Sequence, residues 1–252
     1  MAQIKANEAL VKALQTWNID HLYGIPGDSV DAVVDSLRTV RDQFKFYHVR
    51  HEEVASLAAA SYTKMTGKIG VALSIGGPGI VHLLNGMYDA KMDNVPQLII
   101  AGQTNSTLLG TKFFQETNIS KMVDDVAVYH HQIQKGDNVF EITNEAIRTA
   151  YEKKGVSVII CPNDLLTQKI KDTTNRAVDT TKPKPASPKF KSIKKAAKLI
   201  DKAKKPVMLI GLGTQHAKDE LREFIEAAKI PVIHTLPCLL YTSDAADERS
   251  SV

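Results

Sequence analysis

Short apolar runs alternate along the chain with segments whose apolar residues recur at helical spacing. The runs at 70–75, 96–102 and 156–161 read as buried strands, and each is too short to cross a membrane. Near the N-terminus, Leu10, Val11 and Leu14 follow the three- and four-residue steps of an amphipathic helix. This alternation predicts an α/β fold: a doubly wound, mainly parallel sheet with helices on both faces, followed by part of a second α/β domain.

One carboxylate is predicted at a junction between a strand and a helix. Residues 44–48 alternate as a strand does, and from Val54 onward the apolar spacing becomes helical. Glu52 therefore opens a helix at the carboxyl end of a strand, the edge where open α/β sheets bind ligands. The simpler interpretation is that Glu52 only interacts favourably with the helix dipole.

Two Gly/Pro turns lie on either side of this junction in the sequence. Gly-Ile-Pro-Gly-Asp-Ser at 24–29 follows a predicted strand, and Gly-Gly-Pro-Gly at 76–79 follows another. Each turn leads into a helix whose first N–H groups lack partners within the helix. Either turn alone is weak evidence for a site, because Gly and Pro occur in most connections between strands and helices.

The order of these motifs, with Arg-His-Glu-Glu at 50–53 and Asn-Gly-Met-Tyr-Asp-Ala at 85–90, resembles the pyrimidine-binding domain of thiamine diphosphate enzymes. Within that superfamily the chain is most similar to the pyruvate oxidases, and Phe-Phe-Gln-Glu-Thr-Asn at 113–118 resembles their substrate-facing loop. The resemblance extends over residues 1–237.

The resemblance implies a role for each matching residue. Glu52 would be catalytic, because its counterpart hydrogen-bonds a ring nitrogen of the cofactor's aminopyrimidine and favours the reactive tautomer. Glu53 would be a solvated or paired neighbour. The other implied cofactor contacts are Ile25, Pro26, Gly27, Gly77, Pro78, Gly79 and Asn85. The implied substrate contacts are Asp28, Ser29, Phe114 and Gln115.

Charge is distributed unevenly along the chain. The net charge is +4, but residues 169–205 hold thirteen Lys or Arg and three Asp or Glu, so this segment is +10 and the rest is −6. A Pro-rich stretch at 180–188 and the apolar face that Ile193 gives the next helix indicate a linker and a solvated helix. Without interleaved aromatic residues or a known motif, we expect no nucleic-acid partner.

The composition changes suggest four regions. They are a pyrimidine-binding domain at 1–165, a basic Pro-rich linker at 166–190, the start of a central domain at 191–237 and a tail at 238–252 that does not match the family. In the pyruvate oxidases the central domain carries FAD. The resemblance thus makes Gly211, Gly213 and Thr214 candidate contacts for the flavin's ADP portion, with a simple tight turn as the alternative.

Other features place limits on the chemistry. Cys161 and Cys238 form no metal or redox pattern. We expect no metal site, because His48 and His51 lack an accompanying carboxylate or Cys set at ligand spacing. The Mg²⁺ that such enzymes use should be held by a C-terminal domain outside this chain. The first residues lead directly into a helix without room for a secretory signal, so a cytoplasmic protein is expected, with peripheral contact at the inner face of the membrane left open.

The resemblance implies a specific reaction for the parent enzyme. Pyruvate would be decarboxylated on thiamine diphosphate, electrons would pass to FAD and then to a membrane quinone, and acetate would be released. A phosphate-dependent oxidase, an acetolactate synthase and a non-catalytic binding module remain alternatives. The family places its active site between subunits, so the parent is expected to be a homodimer or tetramer, and this chain alone is expected to be inactive.

Overall fold

The computed structural model describes residues 2–183, 187–214 and 217–235. The chain divides into two compact units, with the boundary between residues 184 and 185. Within the described ranges, no helix combines the length and the apolar character needed to cross a bilayer.

The first unit alternates strands and helices along its length. Its elements are β1 (Gln3–Lys5), α1 (Ala6–Thr16), β2 (His21–Gly24), α2 (Asp31–Thr39), β3 (Lys45–His48), α3 (Glu52–Thr66), β4 (Gly70–Ser74), α4 (Pro78–Met92), β5 (Gln97–Gln103), α5 (Ile119–Val123), β6 (Ala127–Gln132), α6 (Val139–Lys153), β7 (Val156–Pro162), α7 (Asn163–Leu166) and β8 (Lys169–Lys171).

Six strands form one parallel sheet in the order β3-β2-β4-β5-β7-β6. The chain moves outward from β2 to β3 and then returns to place β4 on the other side of β2. The strand order therefore reverses at β2, and the loops after β2 and β4 diverge from that point. In such sheets the crevice at the switch point, outside the carboxyl ends of the strands, is where ligands bind.

Helices cover both faces of the sheet, as the sequence predicted. One face packs α1, α2 and α6 over a core that includes Leu14, Leu37 and Ile147. The opposite face packs α3, α4 and α5 over a core that includes Ala59, Leu83 and Val123. The central strands β4, β5 and β7 are buried along their whole length, which explains why they read as continuous apolar runs.

Helices α3 and α4 approach each other most closely at Ser56 and Gly86. The hydroxyl of Ser56 donates a hydrogen bond to the carbonyl of Leu83 at 2.8 Å. A Cβ added to Gly86 would lie 2.2 Å from Oγ of Ser56 and 2.5 Å from the backbone nitrogen of Leu57. The two helix backbones can reach this separation only because residue 86 has no side chain.

A second contact joins the same helices about two turns further along α3. Nζ of Lys64 lies 2.7 Å from a carboxylate oxygen of Asp89 and 2.6 Å from one of Asp93. Desolvation opposes the charge of Lys64, but the hydrogen bonds to both carboxylates outweigh it and raise the pKa of the lysine. The ammonium group therefore stays charged and holds α4 against α3.

The second unit contains α8 (Phe190–Asp201), β9 (Met208–Ile210), α9 (Lys218–Ala228) and β10 (Val232–His234). Strands β9 and β10 pair in parallel. This is the strand-helix-strand arrangement that the sequence predicts for the beginning of a second α/β domain.

The linker predicted at 166–190 overlaps the first unit, because β8 pairs antiparallel with β1, and Nζ of Lys182 donates to the carbonyl of Gly67 at 2.6 Å. Sequence reasoning missed these contacts since they join segments far apart in the chain. The predicted tail at 238–252, which includes Cys238, lies outside the described residues.

Replacing Gly86 with Ala should destabilise the first unit. Ala is more favourable than Gly in a helix interior by about 1 kcal/mol. The added Cβ, however, meets backbone atoms that no rotamer change can move, and overpacking of this kind costs about 1–3 kcal/mol or more. We expect urea denaturation to show a net loss of up to about 2 kcal/mol in the free energy of unfolding. Gly213→Ala is the control, because within the part of the chain that the structure describes its added Cβ has no neighbour within 4 Å. Equal stability of the two variants would contradict this account of the helix contact.

Cys161 should be unreactive in the folded chain. Complete burial raises the pKa of its thiol to about 12, so the thiolate fraction at a pH of about 8 is on the order of 10⁻⁴. In a Cys238→Ser protein, iodoacetamide should leave Cys161 unmodified until urea is added, as measured by mass spectrometry. Equal labelling rates with and without urea would contradict the burial of β7.

Candidate functional site

Glu52 is the first residue of α3, four residues beyond the carboxyl end of β3 at His48. Its side chain is 12% exposed. Nδ1 of His82, on α4, lies 2.8 Å from Oε2 of Glu52, and the imidazole donates this hydrogen bond when the carboxyl is ionised. Glu52 lies one turn before Ser56, and His82 one turn before Gly86. The close helix contact therefore brings the two side chains together.

Glu53 belongs to a different set of contacts. It accepts a hydrogen bond from the side-chain amide of Asn85, and its Oε2 lies 3.7 Å from Nδ1 of His51. The structure thus places Glu53 as a paired neighbour of Glu52, in agreement with the sequence interpretation. Asn85, predicted as a cofactor contact, uses its amide to hold Glu53.

The two Gly/Pro turns meet at the switch point of the sheet. Ile25, Pro26 and Gly27 follow β2, and the backbone N–H of Gly76 donates to Oγ of Ser29 at 3.2 Å across the gap between the turns. Helix α2 begins at Asp31 after Val30, and no side chain caps it. Neither Asp28 nor Ser29 is therefore the N-cap, which removes the simplest structural explanation for an Asp in this turn.

The turn at Gly77 packs against the loop that contains Gln115. Gly77 has φ +60°, and a Cβ at this position would lie 2.9 Å from the carbonyl oxygen of Gln115. Pro78 then occupies the first turn of α4, where its missing N–H is not needed, and Gly79 follows it. This contact fixes the loop above the N-terminus of α4.

The carboxylate of Glu116 holds the same loop in shape. It accepts hydrogen bonds from the backbone N–H groups of Gly110 and Phe113. These bonds, that from Gly110 first, lower the pKa of Glu116, so the loop is held by an ionised carboxylate. Phe114 remains 77% exposed at the tip of the loop.

The four residues predicted as substrate contacts line a cavity of about 200 Å³ at this edge of the sheet. The residues around it are Asp28, Ser29, Gly76, Gln103, Thr104, Asn105, Leu108, Phe113, Phe114, Gln115 and Asn163. Glu52 is not one of them. The structure therefore brings together the substrate candidates in one cavity and the catalytic candidate in a neighbouring helix pair.

Sequence reasoning missed several of these residues. His82 was not singled out, because it lies thirty positions from Glu52 and only the helix contact makes them neighbours. Gln103 and Asn105 could have been found, since they follow the apolar run of β5 at its carboxyl end. Gln103 donates through its amide to the carbonyl of Thr117 at 2.8 Å and so supports the loop over the cavity.

In the second unit, the three candidate flavin contacts form one closed turn. The backbone N–H and the hydroxyl of Thr214 both donate to the carbonyl of Gly211, at 3.0 and 2.8 Å. A Cβ on Gly213 would meet no atom of the described residues within 4 Å. The turn follows β9 directly, at the carboxyl end of the strand, where a dinucleotide turn is found in such folds.

Two family models match this chain. Residues 4–122 match the N-terminal TPP binding domain of thiamine pyrophosphate enzymes, and thiamine pyrophosphate is the same compound as thiamine diphosphate. Residues 193–246 match the central domain of thiamine pyrophosphate enzymes. The second match extends into the segment that the sequence analysis separated as a tail.

Individual proteins give the same result. The chain is 46% identical over 237 residues to a Bacillus subtilis protein named "Putative thiamine pyrophosphate-containing protein YdaP". It is 38% identical over 236 residues to a pyruvate oxidase of Lactiplantibacillus plantarum, and 33% identical over 238 residues to an acetolactate synthase of Mycobacterium leprae.

These alignments cover 94%, 93% and 93% of this chain but only 41%, 39% and 38% of the three relatives. The chain thus spans about two fifths of the length of the curated relatives that it matches. With a six-stranded parallel sheet of doubly wound topology and two matched domains in the family's order, the chain belongs to the thiamine pyrophosphate enzyme family, as its N-terminal domain and part of its central domain.

Proposed function

We propose that the parent of this chain is a pyruvate oxidase that decarboxylates pyruvate with thiamine diphosphate and transfers the electrons through FAD to a quinone, releasing acetate and CO₂. The observation that carries the proposal is the position of Glu52. Its carboxyl group is largely buried, opens a helix at the ligand-binding edge of the sheet and is held by His82. A group in that position can exchange a proton with a heterocycle placed beside it.

The residues present fit a cofactor pyrimidine. Gly76 donates to Ser29 and Gly77 packs against Gln115, so the turns after β2 and β4 adjoin each other at the carboxyl ends of the strands. These turns would hold the ring, and Glu52 would hydrogen-bond its nitrogen. When bound, the cofactor would supply a carbon acid whose conjugate base adds to the keto group of the substrate. Glu52 holds the proton that sets the ring's tautomer, and His82 fixes the carboxyl group's orientation.

The turn in the second unit has fewer features specific to a flavin than the first unit has for a pyrimidine. The turn from Gly211 to Thr214 follows a parallel strand, but its donors are partly used within the turn. We propose FAD from the order of the domains and from the similarity to a pyruvate oxidase. Mg²⁺ would be bound by residues outside this chain.

The loop over the cavity favours an oxidase over a synthase. Phe114 and Gln115 match the oxidase version of this loop, and both line the cavity with Asp28 and Ser29. Identity is 38% to the pyruvate oxidase and 33% to the acetolactate synthase. Pyruvate is small enough for a cavity of about 200 Å³. In the proposed reaction, Phe114 and Gln115 contact the part of pyruvate that remains after decarboxylation.

Asp28 favours a quinone-linked oxidase that releases acetate over a phosphate-dependent oxidase that transfers the acetyl group to phosphate. A turn of free N–H groups near a helix start binds anions well, whereas a carboxylate in the same turn repels phosphate. Asp28 lines the cavity and makes no capping bond to α2. A phosphate-dependent oxidase is the second candidate, because the cavity's other lining groups could accommodate phosphate. We further propose a homodimer or tetramer and contact with a membrane quinone through the remainder of the parent.

Replacing Glu52 with Gln in the full-length parent should slow deprotonation of the cofactor's reactive carbon. The change keeps the size of the side chain and removes the proton exchange, a loss of about 10²–10⁴-fold. Hydrogen–deuterium exchange at that carbon, followed by NMR, measures the step directly. Glu53→Gln is the matched control and should stay within a few-fold of wild type. Near wild-type exchange in Glu52→Gln would refute the assignment.

The acceptor can be tested by assaying the full-length parent with pyruvate, with and without phosphate. We expect acetate formation without phosphate and a rate that rises with a quinone analogue, because the Asp28 carboxylate disfavours a second anion in the cavity. Asp28→Asn should admit phosphate more readily. A strict phosphate requirement with acetyl phosphate as product would contradict the proposal. Condensation of two pyruvate molecules without reduction of the quinone analogue would indicate a synthase.

A further inference from the structure

Three potential metal ligands meet where α3 and α4 begin. One donor atom from each of His51, Glu52 and His82 lies within 4.8 Å of the donor atoms of the other two. The two imidazole rings face each other with centroids 4.3 Å apart and an interplanar angle of 30°. The sequence analysis considered only His48 and His51 as possible metal ligands. In the fold, the second histidine beside His51 is His82 and not His48.

The exposure of these side chains suits an ion that enters from solvent. The side chain of His51 is 49% exposed and that of His82 is 42% exposed, whereas that of Glu52 is 12% exposed. The carboxylate is thus the most buried of the three ligands, and the two imidazoles are more accessible to solvent. Two nitrogens and one carboxylate oxygen, with a fourth position open to water, are a zinc ligand set.

An outer layer of contacts supports one of the ligands. Oε2 of Glu53 lies 3.7 Å from Nδ1 of His51, and the amide of Asn85 holds Glu53 in turn. At this distance the carboxylate of Glu53 forms no hydrogen bond to His51, so it contributes only a nearby negative charge, which favours a cation at the imidazole.

We propose that this chain binds a borderline divalent cation such as Zn²⁺ or Co²⁺ through His51, Glu52 and His82. The site is separate from the Mg²⁺ that the family uses with the diphosphate. Imidazole ligands favour Zn²⁺ and Co²⁺, whereas Mg²⁺ prefers oxygen ligands in octahedral geometry. The ion would take the place of the hydrogen bond between His82 and Glu52.

Occupation of the site has a consequence for activity that rests on the proposed function. If Glu52 bonds the cofactor's pyrimidine, the metal and the cofactor compete for one carboxylate. Zinc would then inhibit assembly of the full-length holoenzyme, and prior incubation with thiamine diphosphate would protect it. Metal binding without such competition would count against the role of Glu52 and leave the metal site intact.

The test titrates this chain, without cofactor, with Zn²⁺ by calorimetry and with Co²⁺ by visible absorption. We expect one ion per chain and no comparable heat with Mg²⁺. His51→Asn, Glu52→Gln and His82→Asn should each weaken Zn²⁺ binding by at least about tenfold, and Glu53→Gln by less, because that change removes only a nearby negative charge. His48→Asn is the matched control and should bind as wild type does. Unchanged binding in His51→Asn and His82→Asn, or no binding by wild type, would overturn the proposal.

A measurement on the wild-type chain guards against variants that do not fold. In NMR spectra that resolve the imidazole signals, Zn²⁺ should shift those of His51 and His82 at stoichiometric metal and leave that of His48 in place. Shifts centred on other histidines, such as His130 or His131, would place the ion elsewhere and refute the site.

Discussion

The contact between Ser56 and Gly86 is the constraint on which the candidate site depends. Residue 86 has no side chain, so α3 and α4 can touch through a hydroxyl and backbone atoms. One turn earlier on each helix, the same separation leaves Glu52 and His82 at hydrogen-bonding distance. Further along, the charged Lys64 fixes the helix pair to Asp89 and Asp93. The orientation of a carboxylate at the sheet edge is thus set by a packing contact that lies one helical turn away from it.

The strands and helices of the sheet were predictable because each has a local signal. Buried strands such as β4 and β7 appear as apolar runs, and α3 and α4 follow helical spacing from junctions marked by Glu52 and Pro78. The small sheet of β1 and β8 was missed, since three-residue strands carry almost no pattern and their partners are far apart in the chain.

Candidate residues that lie in recognisable sequence motifs could be predicted. A residue that becomes a neighbour only through tertiary packing could not. Asp28, Ser29, Phe114 and Gln115 were expected to act together, and the structure places them around one cavity. His82 was not expected beside Glu52, because that pairing comes from the crossing of two helices. Sequence periodicity shows which face of a helix is apolar but not which residues of two helices are level with each other.

The position of β6 has a consequence for the order in which the sheet can form. Within the described residues of the sheet, β6 hydrogen-bonds to β7, which is inserted between β5 and β6 although it is made after both. During synthesis, β6 leaves the ribosome before its partner exists, and the edge of β5 stays unpaired until residues 156–162 arrive. Glu52, His82 and the loop at 113–116 are all synthesised before that point. A nascent chain therefore carries its chemical groups while the sheet that supports them still has an open, aggregation-prone edge.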